Sequence, residues 1–319
     1  MEGIPTVYIG IDVGGTGVQV GVVNEQGEII AKDSFPTGVG RPYQEMIRDM
    51  ADCTRSAVAK AGLTIDDVKA VGVGIPGIGD NKTGHVIFCT NLGWHDVPLC
   101  AEYQQYIDKP VYIDNDATVA GLAESVAGVS ANTDSSVFLT LGTGVGGGIV
   151  IHGKVWNGFH GVGSEIGHMI LKVGGEPCTC GNHGCVERYC SATAIIRMAK
   201  EAVAQHPESA ILTAVNGDAN AINAKVVFDA AKAGDEVALT VFREYVSYLS
   251  QAISSIMQFL DPEVIVLGGG VSKAGAFLLD AVRAEVPKYL LFKTMPHARI
   301  ELAKLGPDAG IIGAAMLGK

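Results

Sequence analysis

Two patterns of apolar and polar residues alternate along this chain: short, nearly unbroken apolar runs bounded by glycine, and longer stretches with apolar positions three and four apart. Residues 7–23, V-Y-I-G-I-D-V-G-G-T-G-V-Q-V-G-V-V, predict a strand, a glycine turn and a second, alternating strand, a hairpin with Asp12 at its bend. Residues 137–151, V-F-L-T-L-G-T-G-V-G-G-G-I-V-I, repeat that design near the start of the second half. Between the hairpins, residues 43–61 predict an amphipathic helix stopped by Gly62, Thr64 and Asp67 form a capping box, and Val68–Ile75 is an apolar strand ending at Pro76-Gly77. Asn91–Asp96 reads as a loop, Leu99–Ile107 as a short helix, Val111–Ile113 as a strand and residues 117–127 as an Ala-rich helix. Helices over 191–205, 224–232 and 235–260 lead to the strand Val264–Leu267, the run Gly268-Gly269-Gly270 and a helix over 273–285; a small-residue helix from Gly310 closes the chain. An apolar strand with no polar face is buried on both sides, so the pattern predicts an α/β protein with helices on both faces of a sheet.

Composition narrows the partners. Of 319 residues, 18% are charged and 48% hydrophobic, and 42 glycines stand against 12 prolines, the balance of a turn-rich globular chain. The net charge of −11, with no lysine or arginine patch, argues against nucleic acid as a ligand. No run reaches the ~18 apolar residues of a membrane span, and the leading M-E-G-I-P-T lacks a signal peptide's basic region, so a cytoplasmic protein is expected. Cys53, Cys89, Cys100 and Cys190 then read as reduced, buried thiols.

The other three cysteines carry chemistry. Cys178, Cys180 and Cys185 form C-x-C-G-x-x-G-C, with His168 upstream and glycines at 174, 175, 181 and 184, the donor set of a tetrahedral Cys3His structural Zn2+ site. Glu165 and His168 are three apart and Glu187 follows the last cysteine by two, so a metal would hold them toward a common ligand. Carboxylates beside an imidazole N–H suit a polyhydroxylated ligand. Asp116 lies where a strand ends and a helix begins; it can cap the helix, and the positive helix end would also keep it ionised as a base. Gly142–Gly147 matches G-x-G-x-x-G, yet Ile149-Val-Ile continues as strand where a dinucleotide fingerprint needs a helix. Glycine hairpins flanked by Thr16, Thr140 and Thr143 instead suit backbone cradling of a polyphosphate, and Gly268–Gly270 suits a base and ribose lying on bare backbone.

Together, I-D-V-G-G-T from residue 11, Asn115-Asp116, L-G-T-G-V-G-G-G from 141, G-S-E-I-G-H with C-x-C-G-x-x-G-C-x-E, and L-G-G-G from 267 resemble the ROK family of bacterial sugar kinases and repressors over essentially the whole chain. The resemblance implies the actin-like, ribonuclease-H-like ATPase fold, with two α/β domains around a central cleft: a small domain over 1–114 completed by the C-terminal helix at about 303–319, and a large domain over 115–302 carrying a zinc knot at 168–185. It implies ATP-dependent phosphorylation of a hexose 6-hydroxyl, most simply glucose, with fructose, mannose, allose or N-acylhexosamines as alternatives. Asp116 would be the general base; Asn115, Asp116, Glu165, His168, Glu187, Gly77 and Asn91 would hold the sugar. His168, Cys178, Cys180 and Cys185 would bind Zn2+, and Asp12 would position Mg2+ through water. Gly14, Gly15, Thr16, Gly142, Thr143 and Gly144 would hold the phosphates, with Gly268, Gly269 and Gly270 against adenosine. Many relatives carry lysine after G-G-T; Gly17 stands there, so cation and amides must neutralise more charge. A sugar-responsive repressor is the rival reading, and the six residues before the first strand leave it no helix-turn-helix. Family members are commonly oligomers, so a homodimer or homotetramer is expected.

Overall fold

The computed structural model describes residues 6–319; the reading of the leading residues as free of an export signal falls largely on residues 1–5, outside those described. The chain forms two compact units, one running to Phe138 and including Gly148–Ser164 and Lys304–Lys319, the other made of Leu139–Gly147 and Glu165–Ala303.

In the first unit, β1 (Val7–Val13) and β2 (Gly17–Asn24) form the expected hairpin, extended by β3 (Ile29–Pro36), and β1 also pairs in parallel with β4 (Val68–Ile75). Helix α1 spans Tyr43–Lys60, and Gly62 follows at a positive φ of 71°. The Asp67 carboxylate accepts from both the backbone N–H and the Oγ1 of Thr64, so the capping box forms, over a single 3-10 turn. A second, three-stranded sheet follows, β5 (Ile78–Asp80), β6 (His85–Cys89) and β7 (Trp94–Val97). The loop expected over Asn91–Asp96 is therefore half strand: Trp94 and Val97 are buried while His95 and Asp96 between them face outward. Helix α2 covers only Leu99–Gln104; β8 (Val111–Asn115) then completes the order β3-β2-β1-β4-β8 and passes directly into α3 (Asp116–Ala127).

Strands β9 (Ser135–Leu141) and β10 (Val145–Ile151) carry the second glycine hairpin, and the strand continues after its glycines, as the rejection of a dinucleotide fingerprint requires. With β11 (Lys154–Val155), β12 (Val264–Gly268) and β13 (Arg299–Leu302) they form a sheet in the order β11-β10-β9-β12-β13. Its edges mirror the first sheet: β10–β11 is antiparallel like β2–β3, and β12–β13 parallel like β4–β8. The second unit adds helices α4 (Glu187–Cys190), α5 (Ala192–Gln205), α6 (Ala210–Ala214), α7 (Ala224–Lys232) and α8 (Glu236–Leu260). The helix expected over 273–285 starts later, as α10 (Ala276–Glu285), because Gly275 before it takes a φ of 70°, and a separate short helix, α9 (Gly269–Ser272), precedes it.

The chain ends in α11 (Ala309–Met316), packed on the first unit's sheet. Alternation along β1 explains how. Val7, Ile9, Ile11 and Val13 point into the core shared with α1, whereas Tyr8 joins Ile311, Ile312 and Leu122 on the other face. Gly10 lies on that second face, where a Cβ would come 1.8 Å from the Ile311 carbonyl oxygen; on Gly72 it would come 1.8 Å from that of Ala314. Only glycine lets α11 sit this close to the strands. Since α3 shares this core with α11, the first unit extends past the boundary expected at 114 and takes in the whole of α3. Among the described residues no helix is long and apolar enough to cross a membrane.

Candidate active site

The first unit holds Asp12, Gly14–Thr16, Gly77, Asn91, Asn115 and Asp116. Asp12 is not at a bend: it is paired within β1, opposite Gln19 and Gly74. The pleat puts its side chain on the α11 face, where a Cβ on Gly310 would lie 2.4 Å from the carboxylate. Burial, and secondarily the Asp116 charge, push the Asp12 carboxyl from 3.8 up to about 6. A buried carboxyl raised in part by a neighbouring carboxylate charge marks a place that favours a dication. The turn Gly14–Thr16 is closed by the Gly14 N–H donating to the Gly17 carbonyl at 3.0 Å and tied to Thr37, whose Oγ1 donates to the Gly14 carbonyl at 2.6 Å. A Cβ on Gly15 would meet nothing within 4 Å, so that position is open to a close-approaching ligand.

At the β8–α3 junction the cap is Asn115 and not Asp116. Asn115 Oδ1 accepts from the Ala117 N–H at 2.9 Å, and its Nδ2 donates to the Gly77 carbonyl at 3.1 Å, so the structure brings Gly77 and Asn115 together. Asp116, exposed, is the first helical residue and accepts from the Ala117 N–H at 2.8 Å. Asn91 lies exposed in the 3-10 turn Thr90–Leu92 between β6 and β7, two residues past Cys89, which packs against Gly77.

In the second unit, the turn Gly142–Gly144 is pinned by α5: Ala192 N–H donates to the Gly142 carbonyl at 2.7 Å and Thr193 Oγ1 to the Thr143 carbonyl at 2.8 Å. The Gly142 N–H closes the turn onto the Gly144 carbonyl, and a Cβ on Gly142 would meet nothing within 4 Å. Gly144 is different, since a Cβ there would lie 2.3 Å from Glu187 Oε2, which also accepts from the Val145 N–H at 3.1 Å. At the far end of β12, Gly269 is held against the Leu141 backbone at a φ of 82°, while Gly270 opens onto a cavity of about 290 Å³. Lys225, Phe228, Asp229 and Lys232 of α7 line it together with Val271 and Lys273. These α7 residues carry no motif, and only the packing of α7 beside α9 reveals them.

Glu165 and His168 flank one 3-10 turn, with the His168 N–H donating to the Glu165 carbonyl at 3.0 Å. Gly167 inside the turn presses on the Val145 carbonyl oxygen, which would be 1.9 Å from a Cβ. From there the chain doubles back, with Ile170 bridged to Cys185 and Pro177 to His183. Gly184, at a φ of 81°, passes so close to Lys172 that a Cβ would be 1.7 Å from its carbonyl oxygen. Nδ1 of His168 and the three thiols all lie within 4.8 Å of one another, with Cys178 Sγ to His168 Nδ1 at 3.7 Å and Cys180 Sγ to Cys185 Sγ at 3.6 Å. A tetrahedral zinc with Zn–S of ~2.3 Å and Zn–N of ~2.05 Å requires about 3.8 Å between sulfurs and about 3.6 Å from sulfur to nitrogen. Those two distances match the tetrahedral values, and the four side chains could hold such an ion.

A family model described as ROK family matches residues 8–319. The chain belongs to the ROK family. It is 38% identical over 314 residues to the glucokinase of Halalkalibacterium halodurans, covering 98% of this chain and 94% of that protein. It superposes with a TM-score of 0.79 on the crystal structure of a ROK family glucokinase from Streptomyces griseus in complex with glucose and AMPPNP, at 35% identity over 98% of each chain. The ROK hexokinase from Thermus thermophilus gives a TM-score of 0.83 at 30% identity over 97% of each chain. This ROK protein has the actin-like, ribonuclease-H-like ATPase fold.

Proposed function

We propose that this ROK protein is an ATP-dependent glucokinase that transfers the γ-phosphoryl group of ATP to the 6-hydroxyl of glucose. The observation that carries the reading is the β8–α3 junction. There Asn115 takes over the structural cap, and Asp116 at the positive end of α3 would act as a base, beside the half-buried Asp12. Kinship with glucokinases over nearly full length supports the same reading.

Asp116 would accept the 6-hydroxyl proton as the oxygen attacks in line, a task worth about 10² to 10⁴ in rate. Asp12 would hold Mg2+ through water, and the cation supplies neutralisation of the developing phosphoryl charge. Asn115, Gly77, Asn91, Glu165, His168 and Glu187 would hold the sugar hydroxyls. His168 would bind Zn2+ through Nδ1, leaving Nε2–H as a donor of fixed tautomer. The zinc would act as a scaffold, since ligands Cys185 and His168 sit two and three residues from Glu187 and Glu165. Gly14, Gly15, Thr16, Gly142, Thr143 and Gly144 would receive the phosphates, with Gly15 and Gly142 open to close approach. Adenosine would lie on Gly268–Gly270, its base in the cavity lined by Phe228 and Lys225. At about 290 Å³ this cavity is near the lower end of small-ligand sites, ~300 Å³. The protein would work in the cytoplasm as a homodimer or homotetramer without nucleic acid.

An ADP-release screen over a dozen hexoses with ATP and Mg2+ tests the reading. Glucose should give the highest kcat/KM; a preference for fructose, mannose, allose or an N-acylhexosamine would replace the substrate, and no sugar-dependent release would overturn the kinase.

A further inference from the structure

Directly before the Asn115–Asp116 pair stands Asp114, a carboxylate that is only 6% exposed and that the kinase chemistry does not use. Burial holds its carboxyl above the usual carboxylate range. Both oxygens are committed: Oδ1 accepts from the Asn115 N–H at 2.8 Å, and Oδ2 accepts from Asn157 Nδ2 at 2.6 Å. Asn157 lies 43 residues away in sequence, just past β11, at the mouth of a loop that its own carbonyl closes by accepting from the Gly163 N–H at 2.7 Å. A buried carboxylate with an amide on one oxygen and the backbone of the base's neighbour on the other is an expensive arrangement for a strand end that an apolar residue could fill.

We infer that Asp114 and Asn157 form a positioning pair that fixes the peptide carrying Asp116, so that the base meets the 6-hydroxyl in one orientation. Asn157 grips Oδ2, which orients Oδ1 onto the Asn115 N–H; the Asn115 side chain is held separately by Ala117 and Gly77. The pair thus governs the rotation of the Asp114–Asn115 peptide, which leads into Asp116, and its loss falls on turnover more than on binding. A displacement of about 1 Å at a reacting group costs on the order of 10²-fold. The inference rests on the kinase reading of Asp116.

Exchange of the two side chains tests it. Asn157→Asp sets carboxylate against carboxylate and should lower kcat for glucose on the order of 10-fold to 100-fold, with glucose affinity by calorimetry within about threefold. Adding Asp114→Asn to that variant restores both bonds with reversed polarity: the amide at 114 donates to the carboxylate at 157, while its oxygen still accepts from the Asn115 N–H. The double variant should recover kcat to within about threefold of the wild type. A double variant as slow as Asn157→Asp alone, or an Asn157→Asp enzyme with unchanged kcat, overturns the pair while leaving the glucokinase reading intact. A wild-type protein that releases no ADP with glucose overturns both. Thermal melts of each variant, recorded beside the kinetics, show that the rates are measured on folded protein.

Discussion

The Asp12 carboxyl gives a prediction with two signs in one substitution. In the unfolded chain it titrates near 3.8, in the folded protein at about 6, because burial and then Asp116 disfavour its charge. The native state therefore binds more protons than the unfolded state between those values, and stability contributed by this group is lost as pH rises through about 6. A shift of about two units corresponds to about 3 kcal/mol at ~1.36 kcal/mol per unit, reduced by solvent screening at this partly exposed position to ~1–3 kcal/mol. Asp12→Asn keeps the shape and removes the charge. In urea unfolding at pH 7.5 without Mg2+ or nucleotide, the variant should be more stable than the wild type by ~1–3 kcal/mol, and at pH 4 the two should coincide. The same variant should lose about 10²-fold or more in kcat with ATP and Mg2+. A variant no more stable than the wild type at pH 7.5, or a stability difference that ignores pH, would refute the reasoning.

Three further outcomes follow from the second unit. Purified protein should carry about one zinc per chain by elemental analysis; Cys185→Ser or chelation should weaken glucose binding at least tenfold while ATP binding persists, and glucose affinity that ignores the metal would remove the scaffold role. Gly144→Ala drives a Cβ to within 2.3 Å of the Glu187 carboxylate and should raise the glucose KM on the order of tenfold. Gly142→Ala meets no protein atom within 4 Å, so it should leave the melting temperature unchanged and act on the ATP KM instead.

Much of this architecture is legible in the sequence because its central strands are buried on both faces. The runs at 7–13, 68–75 and 264–268 announce themselves by being almost wholly apolar, broken only by Asp12 and Lys69, and glycine turns mark both hairpins. Edge elements are harder to see. Strand β3, I-I-A-K-D-S-F-P, has no fully buried residue, and β5–β7 are short with exposed positions between buried ones. The cluster of His168 and three thiols is legible since the thiols lie close in sequence and tight turns need glycine there. Asp114 with Asn157, and the α7 wall of the cavity beside Gly270, have no such signature: each depends on residues brought together by tertiary packing from distant segments. Asp116 illustrates a subtler point, that a strand-to-helix junction offers two adjacent side chains for one capping role, and only coordinates assign the cap to Asn115.

The central claim is that Asp116 is the base that activates the sugar hydroxyl, and Asp116→Asn tests it most directly. Glucose-dependent ADP release by this variant should fall by about 10² or more in kcat, with glucose affinity by calorimetry within about threefold of the wild type. Turnover equal to that of the wild type would contradict the account.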